Sequence, residues 1–342
     1  MTPFTEQHLL LDLLRGSPPA IPPSGLDADL FLKLVADHGL AGLIHPRIPS
    51  SDPAWPASLS RALKERWRKT LADNLILVEA LREVGSLLQD NGLEFIVLKG
   101  GSLLGFLYPE IHLRPMADLD LLIRPKDWPA VARLLGARNY RLPSPEEERR
   151  DRRHGYCHTV ETPPTPTCSI EFHWDLESVG RNRIDRDELF RSAVTCTIEG
   201  GSFKRLCDDH LLLHLAMHMA HHFTRPSLHW VEDLRRLLRV GRLDWPRVAD
   251  LARVWRMENC LAYSLGYLEK LFPASLPEPG RLFRLSPVRS MIMRRLQSPE
   301  PLLPHLPMET SPLRFLVTLL LLDRWTDAAR YLAVHTVRRL SP

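Results

Sequence analysis

Residues 93–123 read LEFIVLKGGSLLGFLYPEIHLRPMADLDLLI, and their order decides the fold. Residues 93–98 form a short apolar run with Ile and Val between turn signals, which suits a buried strand. Lys99-Gly100-Gly101-Ser102 breaks that run as a turn, and residues 103–108 are long enough for nearly two helical turns before Pro109. Residues 117–123 read as a second strand, and Pro125 opens a helix expected to run to about Asn139. Strand, helix, strand, helix is the signature of an α/β unit.

On a strand, successive side chains alternate faces, so Asp118 and Asp120 point one way while Leu119, Leu121 and Ile123 point into a core. Two carboxylates held side by side repel unless a cation lies between them, and hard oxygen ligands on a rigid element suit Mg²⁺ or Mn²⁺. Taken alone, Asp-x-Asp reads equally well as a solvent-facing strand edge. The Gly-Gly-Ser turn before it adds a second feature, because Gly100 and Gly101 let the backbone approach a phosphate and the Ser102 hydroxyl can donate to one. Lys99 supplies charge at the mouth of the turn or is an ordinary strand-end lysine. A third carboxylate belongs on a neighbouring strand. Alternation in residues 169–175 sets Glu171, His173 and Asp175 on one face and Ile170, Phe172 and Trp174 on the other, which makes Glu171 the candidate against a solvated strand face.

Outward from this unit the chain is helical. Thr5 can cap a first short helix and Asp27 or Asp29 a second, and residues 59–90 carry apolar side chains at three- and four-residue spacing up to the stop at Asn91-Gly92. Residues 144–153 (SPEEERRDRR) read as a solvated loop or helix end, and residues 156–161 and 168–174 as a hairpin across the Pro-rich turn 162–167. Helical periodicity returns at 208–223, 228–240, 245–255, 258–272 and 312–340, with Pro-rich connectors between 273 and 287 and between 299 and 312. There is no internal repeat.

A chain of 342 residues fits two to three compact units, and 44% hydrophobic with 25% charged residues is an ordinary globular balance. The net charge of +4 is slight and the arginines share their helices with Asp and Glu, so charge gives no ground for a nucleic-acid partner. Five cysteines without a CxxC pair argue against a disulfide framework and a sulfur-rich zinc site, and suit a reducing cytoplasm. The N-terminus lacks a signal-peptide pattern, and the longest apolar run, residues 315–322, falls far short of the ~20 residues that span a bilayer. No membrane association is expected.

Taken together, the motifs resemble those of the DNA polymerase β-like nucleotidyltransferases: a Gly-[Gly/Ser] turn, an Asp-x-Asp strand and a lone carboxylate on a later strand. More narrowly, Leu98-Lys99-Gly100, Tyr108-Pro109 and Arg114-Pro115 followed by Asp118, Asp120, Leu121 and Leu122 resemble the bacterial family called uncharacterised nucleotidyltransferases. Ile170-Glu171-Phe172-His173-Trp174, Asp209-His210-Leu211 through His218, and Trp230-Val231-Glu232-Asp233-Leu234 are similar to its later segments. Fifteen residues separate Ser102 from Asp118, a longer spacing that the narrower family shares.

The resemblance implies an α+β fold: a polymerase β-like nucleotidyltransferase core with a mixed sheet and flanking helices over 91–206, an N-terminal helical region over 1–90 and an all-helical region over 207–342. It implies transfer of a nucleoside monophosphate from an NTP, with release of pyrophosphate, to a hydroxyl or similar group of a small-molecule or peptide acceptor. Asp118, Asp120 and Glu171 would hold Mg²⁺ or Mn²⁺, with Glu171 as third ligand or general base. Lys99, Gly100, Gly101, Ser102 and Arg114 would meet the phosphates. Two other readings stand beside this one. The fold can serve as a non-catalytic scaffold for a peptide partner, against which the intact Asp-x-Asp argues. His210, His214, His218, His221 and His222 recur at spacings of three and four, which permits zinc on that helix. A third zinc ligand is missing there, so these histidines are expected in structural contacts or, for His218 and His222, facing the cleft together with His173.

Overall fold

The computed structural model describes residues 5–17, 19, 21–48, 55–163, 167–177, 182–222, 227–273, 275–296, 312–324, 326–329 and 331–332. Six strands form one mixed sheet: β1 (Phe95–Val97), β2 (Leu119–Ile123), β3 (Cys157–Glu161), β4 (Ser169–His173), β5 (Val194–Ile198) and β6 (Gly201–Arg205), in the spatial order β3-β4-β2-β1-β6-β5. The central strand β2 runs antiparallel to β1 and parallel to β4, with Asp120 opposite Glu171. Every residue of β1 and β2 is buried, as expected of strands covered on both faces.

Helices α1 (Thr5–Arg15), α2 (Ala28–Asp37), α3 (Ala41–Ile44) and α4 (Ala57–Asp90) precede the sheet. Asp27 caps α2 by accepting from the amides of Asp29 and Leu30, and α4 ends where Gly92 takes a φ of 68°. Within the sheet region lie α5 (Lys99–Leu103), α6 (Trp128–Gly136), α7 (Pro145–His154) and α8 (Arg186–Arg191). After it come α9 (Asp208–His221), α10 (Leu228–Val240), α11 (Trp245–Trp255), α12 (Glu258–Leu271), α13 (Pro287–Leu296) and α14 (Pro312–Leu321). One cluster of buried apolar side chains runs from Leu9 through β1 and β2 to Leu321, so the helices on either side share a core with the sheet. No described helix is long and apolar enough to cross a membrane, and all five cysteines are free.

Besides α8 and α13, which the sequence reading leaves unassigned, the structure departs from it chiefly in four places. Lys99-Gly100-Gly101-Ser102 is itself the short helix α5, and residues 104–108 are turn rather than helix. The charge run at 144–153 is a full helix, begun by a capping box in which Ser144 and Glu147 satisfy each other's backbone amides. The β5–β6 hairpin, unforeseen in the sequence, turns on Glu199 (φ 45°) and Gly200 (φ 81°), the two positive dihedrals that a tight type I′ connection requires. The segment expected as one helix over 312–340 breaks after Leu321; its residues 333–342, like most of the 299–312 connector and residue 223, lie outside the described residues.

Candidate active site

Lys99 follows directly on β1, where the Leu98 amide donates to the Asp120 carbonyl at 2.9 Å and so brings the end of β1 over β2. Its backbone takes a φ of 41°, a left-handed value that costs a non-glycine residue about 1 kcal/mol or more. The side chain lies almost buried, with Nζ 2.6 Å from Asp120 Oδ1 and 3.7 Å from Glu171 Oε2. From the other side His173, fully buried at the end of β4, directs Nε2 to Asp120 Oδ1 at 2.8 Å and to Glu171 Oε2 at 3.2 Å. The parallel β2–β4 register causes this convergence, because residues opposite each other on neighbouring strands share a face.

Charge balance follows from these contacts. Burial alone would raise the Asp120 pKa, but His173 and Lys99 hold it far below the usual carboxylate range. Burial would likewise lower Lys99, yet Asp120 and then Glu171 keep its ammonium protonated well beyond its ordinary range. His173 is carried above its ordinary value by its hydrogen bonds to Asp120 and Glu171, which outweigh its burial. Asp118, one residue before β2 and half-buried, is pushed up to about 6 by burial and then by the negative charges of Asp120 and Glu171. Negative potential therefore gathers at Asp118 even with Lys99 and His173 nearby.

Lys99, Asp118 and Asp120, but not Glu171 or His173, line a cavity of about 340 Å³ whose walls also include Gly100 and Arg114 from the sheet side and His218, His229 and Trp230 from α9 and α10. A model of the family described as uncharacterised nucleotidyltransferase matches residues 24–273. The chain belongs to this family. No curated protein matches it. Among solved structures it is similar to the antibiotic-resistance factor ANT(2'')-Ia in solution (11% identity, TM-score 0.37, covering 53% of this chain and 91% of that one). A crystal structure of ANT(2")-Ia in complex with adenylyl-2"-tobramycin gives 12% identity and a TM-score of 0.35 over 52% and 94%. An antigenic nucleotidyltransferase-like protein from Paracoccidioides brasiliensis gives 11% and 0.39 over 63% and 94%.

In this nucleotidyltransferase the two glycines of α5 part company. A Cβ on Gly100 would meet Arg114 Nη1 at 2.7 Å beside the cavity, whereas one on Gly101 would meet Val97 Cγ1 at 2.9 Å and Leu119 Cδ1 at 3.4 Å on the sheet. Ser102 is fully buried and its hydroxyl donates to the Lys99 carbonyl at 2.8 Å. Neither Gly101 nor Ser102 lines the cavity, and the Ser102 hydroxyl expected to meet phosphate is committed to the Lys99 carbonyl. Arg114 lines the cavity but is already engaged: Nη2 reaches Asp233 Oδ2 at 2.9 Å and Nη1 donates to the Pro115 carbonyl at 2.6 Å.

Two anchors of the loop before β2 went unrecognised in the sequence. Asn74 of α4, fully buried, donates to the carbonyls of Ile111 and Arg114 at 2.5 and 2.8 Å and accepts from the Met116 amide at 3.0 Å. Asp233 of α10, also fully buried, takes Arg114 and the Tyr108 hydroxyl at 2.7 Å. The sequence segment that contains the second anchor, Trp230 to Leu234, carries nothing that ties it to Arg114.

The histidines of α9 divide along the helix. His210 stacks on Trp255 at 5.1 Å and meets Ser192 Oγ at 3.0 Å, a packing role. His214 is buried and held neutral by its burial, its pKa pushed down to about 3. His218 lines the cavity and stands edge-on to Trp230 at 4.8 Å, while His222 lies 5.1 Å from the same indole. His221 turns away to Glu177.

Proposed function

We propose that this protein transfers a nucleoside monophosphate from an NTP to a hydroxyl or similar group of a small-molecule or peptide acceptor, releasing pyrophosphate. Asp118, Asp120 and Glu171 would hold the divalent metal. The observation that carries this reading is the convergence of Asp120 and Glu171, paired across β2 and β4, with Asp118 at a cavity lined by Lys99 and Arg114.

The donors fit a hard divalent ion, Mg²⁺ or Mn²⁺: they are three carboxylates, and burial first, then the charges of Asp120 and Glu171, raise the pKa of Asp118. When bound, such an ion lowers the pKa of an attacking hydroxyl and steadies the transferred phosphate. The chain's own groups do the rest. Lys99 keeps its proton at Nζ and brings fixed positive charge to the cavity, where it offsets the triphosphate. Gly100 keeps that wall free of side-chain atoms. His173 holds Asp120 and Glu171 in place through Nε2, leaving Glu171, the more exposed of the two, to take the acceptor proton or to complete the ligand set. Arg114 faces the phosphates with its orientation fixed by Asp233. Trp230 and His218 form an uncharged aromatic wall opposite.

The test is incubation of the protein with each of the four NTPs, Mg²⁺ or Mn²⁺ and a metabolite or peptide pool, monitoring pyrophosphate. Asp120→Asn preserves shape but removes the charge, and a loss of at least ~10²-fold is expected. Full pyrophosphate release by the folded variant would remove the assignment.

A further inference from the structure

The hairpin that carries Glu171 also carries a thiol. In the antiparallel β3–β4 ladder Cys157 lies opposite His173 and Thr159 opposite Glu171, so Cys157, Glu171 and His173 share one face of the sheet. One donor atom from each lies within 4.8 Å of the other two, and Glu171 Oε2 and His173 Nε2 are already 3.2 Å apart. A tetrahedral zinc ion with bonds of ~2.0–2.3 Å sets its ligands roughly 3.3–3.8 Å apart, so the group needs to contract by about 1 Å, a side-chain adjustment. His173 is fully buried, and the nitrogen it turns to Glu171 is Nε2, so a metal bound there takes the place of the Nε2 contacts to Asp120 and Glu171.

We propose that Cys157, Glu171 and His173 form a second metal site, for a borderline-soft divalent ion of the zinc type, that overlaps the carboxylate site through Glu171. The donor set makes the distinction. Sulfur and imidazole nitrogen favour zinc-type ions, whereas Mg²⁺ takes oxygen and leaves a thiol alone. The metal takes a thiolate and an unprotonated imidazole nitrogen, so the Cys157 thiol proton and the His173 Nε2 proton both leave to solvent as the sulfur–metal and nitrogen–metal bonds form. Because Glu171 serves only one site at a time, a bound zinc-type ion takes the third ligand from Asp118 and Asp120. This inhibitory consequence rests on the proposed nucleotidyl transfer, while the binding itself does not.

The experiment is an optical titration of the whole protein, purified without a histidine tag, with Co²⁺ as the probe. We expect one equivalent to give a thiolate-to-cobalt charge-transfer band, displaced by Zn²⁺ and not by Mg²⁺. That band should be lost, or the affinity lowered at least ~10-fold, in Cys157→Ser and in His173→Gln, and retained in Asp118→Asn and Cys168→Ser. Cys157→Ser exchanges one atom on a half-buried strand residue and keeps the test readable if His173→Gln fails to fold. A wild-type protein without the band, a band that survives Cys157→Ser, or one that vanishes in Asp118→Asn would overturn the proposal. No turnover is measured, so failure of this site and failure of the nucleotidyl-transfer reading are separate results.

Discussion

Gly100 and Gly101 are alike in the sequence and unlike in the molecule, and the difference separates chemistry from packing. A side chain at 101 is driven into Val97 and Leu119, so Gly101→Val should overpack the sheet and cost about 1–3 kcal/mol in urea denaturation. Gly100→Ala should instead spare most of the stability and weaken NTP binding in calorimetry, because its methyl group displaces Arg114 and Met116 at the cavity wall. Equal effects of the two variants on nucleotide affinity would refute this division. The sequence made the glycine pair visible as a place of close approach, but what approaches each glycine comes from residues 14 to 18 positions away or from the preceding strand. Asp120 and Glu171 were legible for a simpler reason. Strand alternation assigns a face from sequence alone, whereas the Lys99 and His173 contacts that balance the charge of Asp120 depend on strand order.

At the scale of elements, α9 shows why a histidine-rich helix need not be a metal helix. His210 is pressed against Trp255, and burial, assisted by Arg247, pushes its pKa down to about 4 from the ordinary 6.5. In the unfolded chain the same imidazole takes up a proton near 6.5, so between about 6.5 and 4 the unfolded state binds more protons and stability falls with falling pH. His214 acts in the same direction. The urea midpoint should therefore drop from pH 7 to pH 5, and the drop should be smaller in His210→Gln; an unchanged pH slope in that variant would contradict the buried neutral imidazole. Four-residue spacing was readable in the sequence, but the partners that sort these histidines, Trp255, Trp230 and Glu177, lie on other elements or in loops. The β3–β4 hairpin was legible through alternation. The β5–β6 hairpin was not, because its turn places Glu199, a residue with no turn preference, at positive φ. The helix at 145–154 was hidden by its charge, although Ser144 and Glu147 already spelled out a capping box.

Across the whole molecule, strand β2 is positioned from both sides by helices distant in sequence. Asn74 of α4 and Asp233 of α10 grip the segment that leads into β2, so helices before and after the sheet share the task of placing Asp118 and Asp120. Asp233→Ala strands the Arg114 guanidinium in a buried site, and breaking such a pair is expected to cost about 3–5 kcal/mol. Denaturation should show that loss, and a cost below about 1 kcal/mol would mean that water reaches Arg114. The central claim concerns the carboxylates that this scaffold presents, and it is tested most directly by binding, which needs no knowledge of the acceptor. Mn²⁺ titration followed by electron paramagnetic resonance, with and without NTP, should show Mn²⁺ bound by the wild-type protein, more tightly in the presence of nucleotide. In Asp118→Asn and Asp120→Asn that affinity should fall at least ~10-fold while the fold is retained. Unchanged Mn²⁺ binding in both variants would contradict the account.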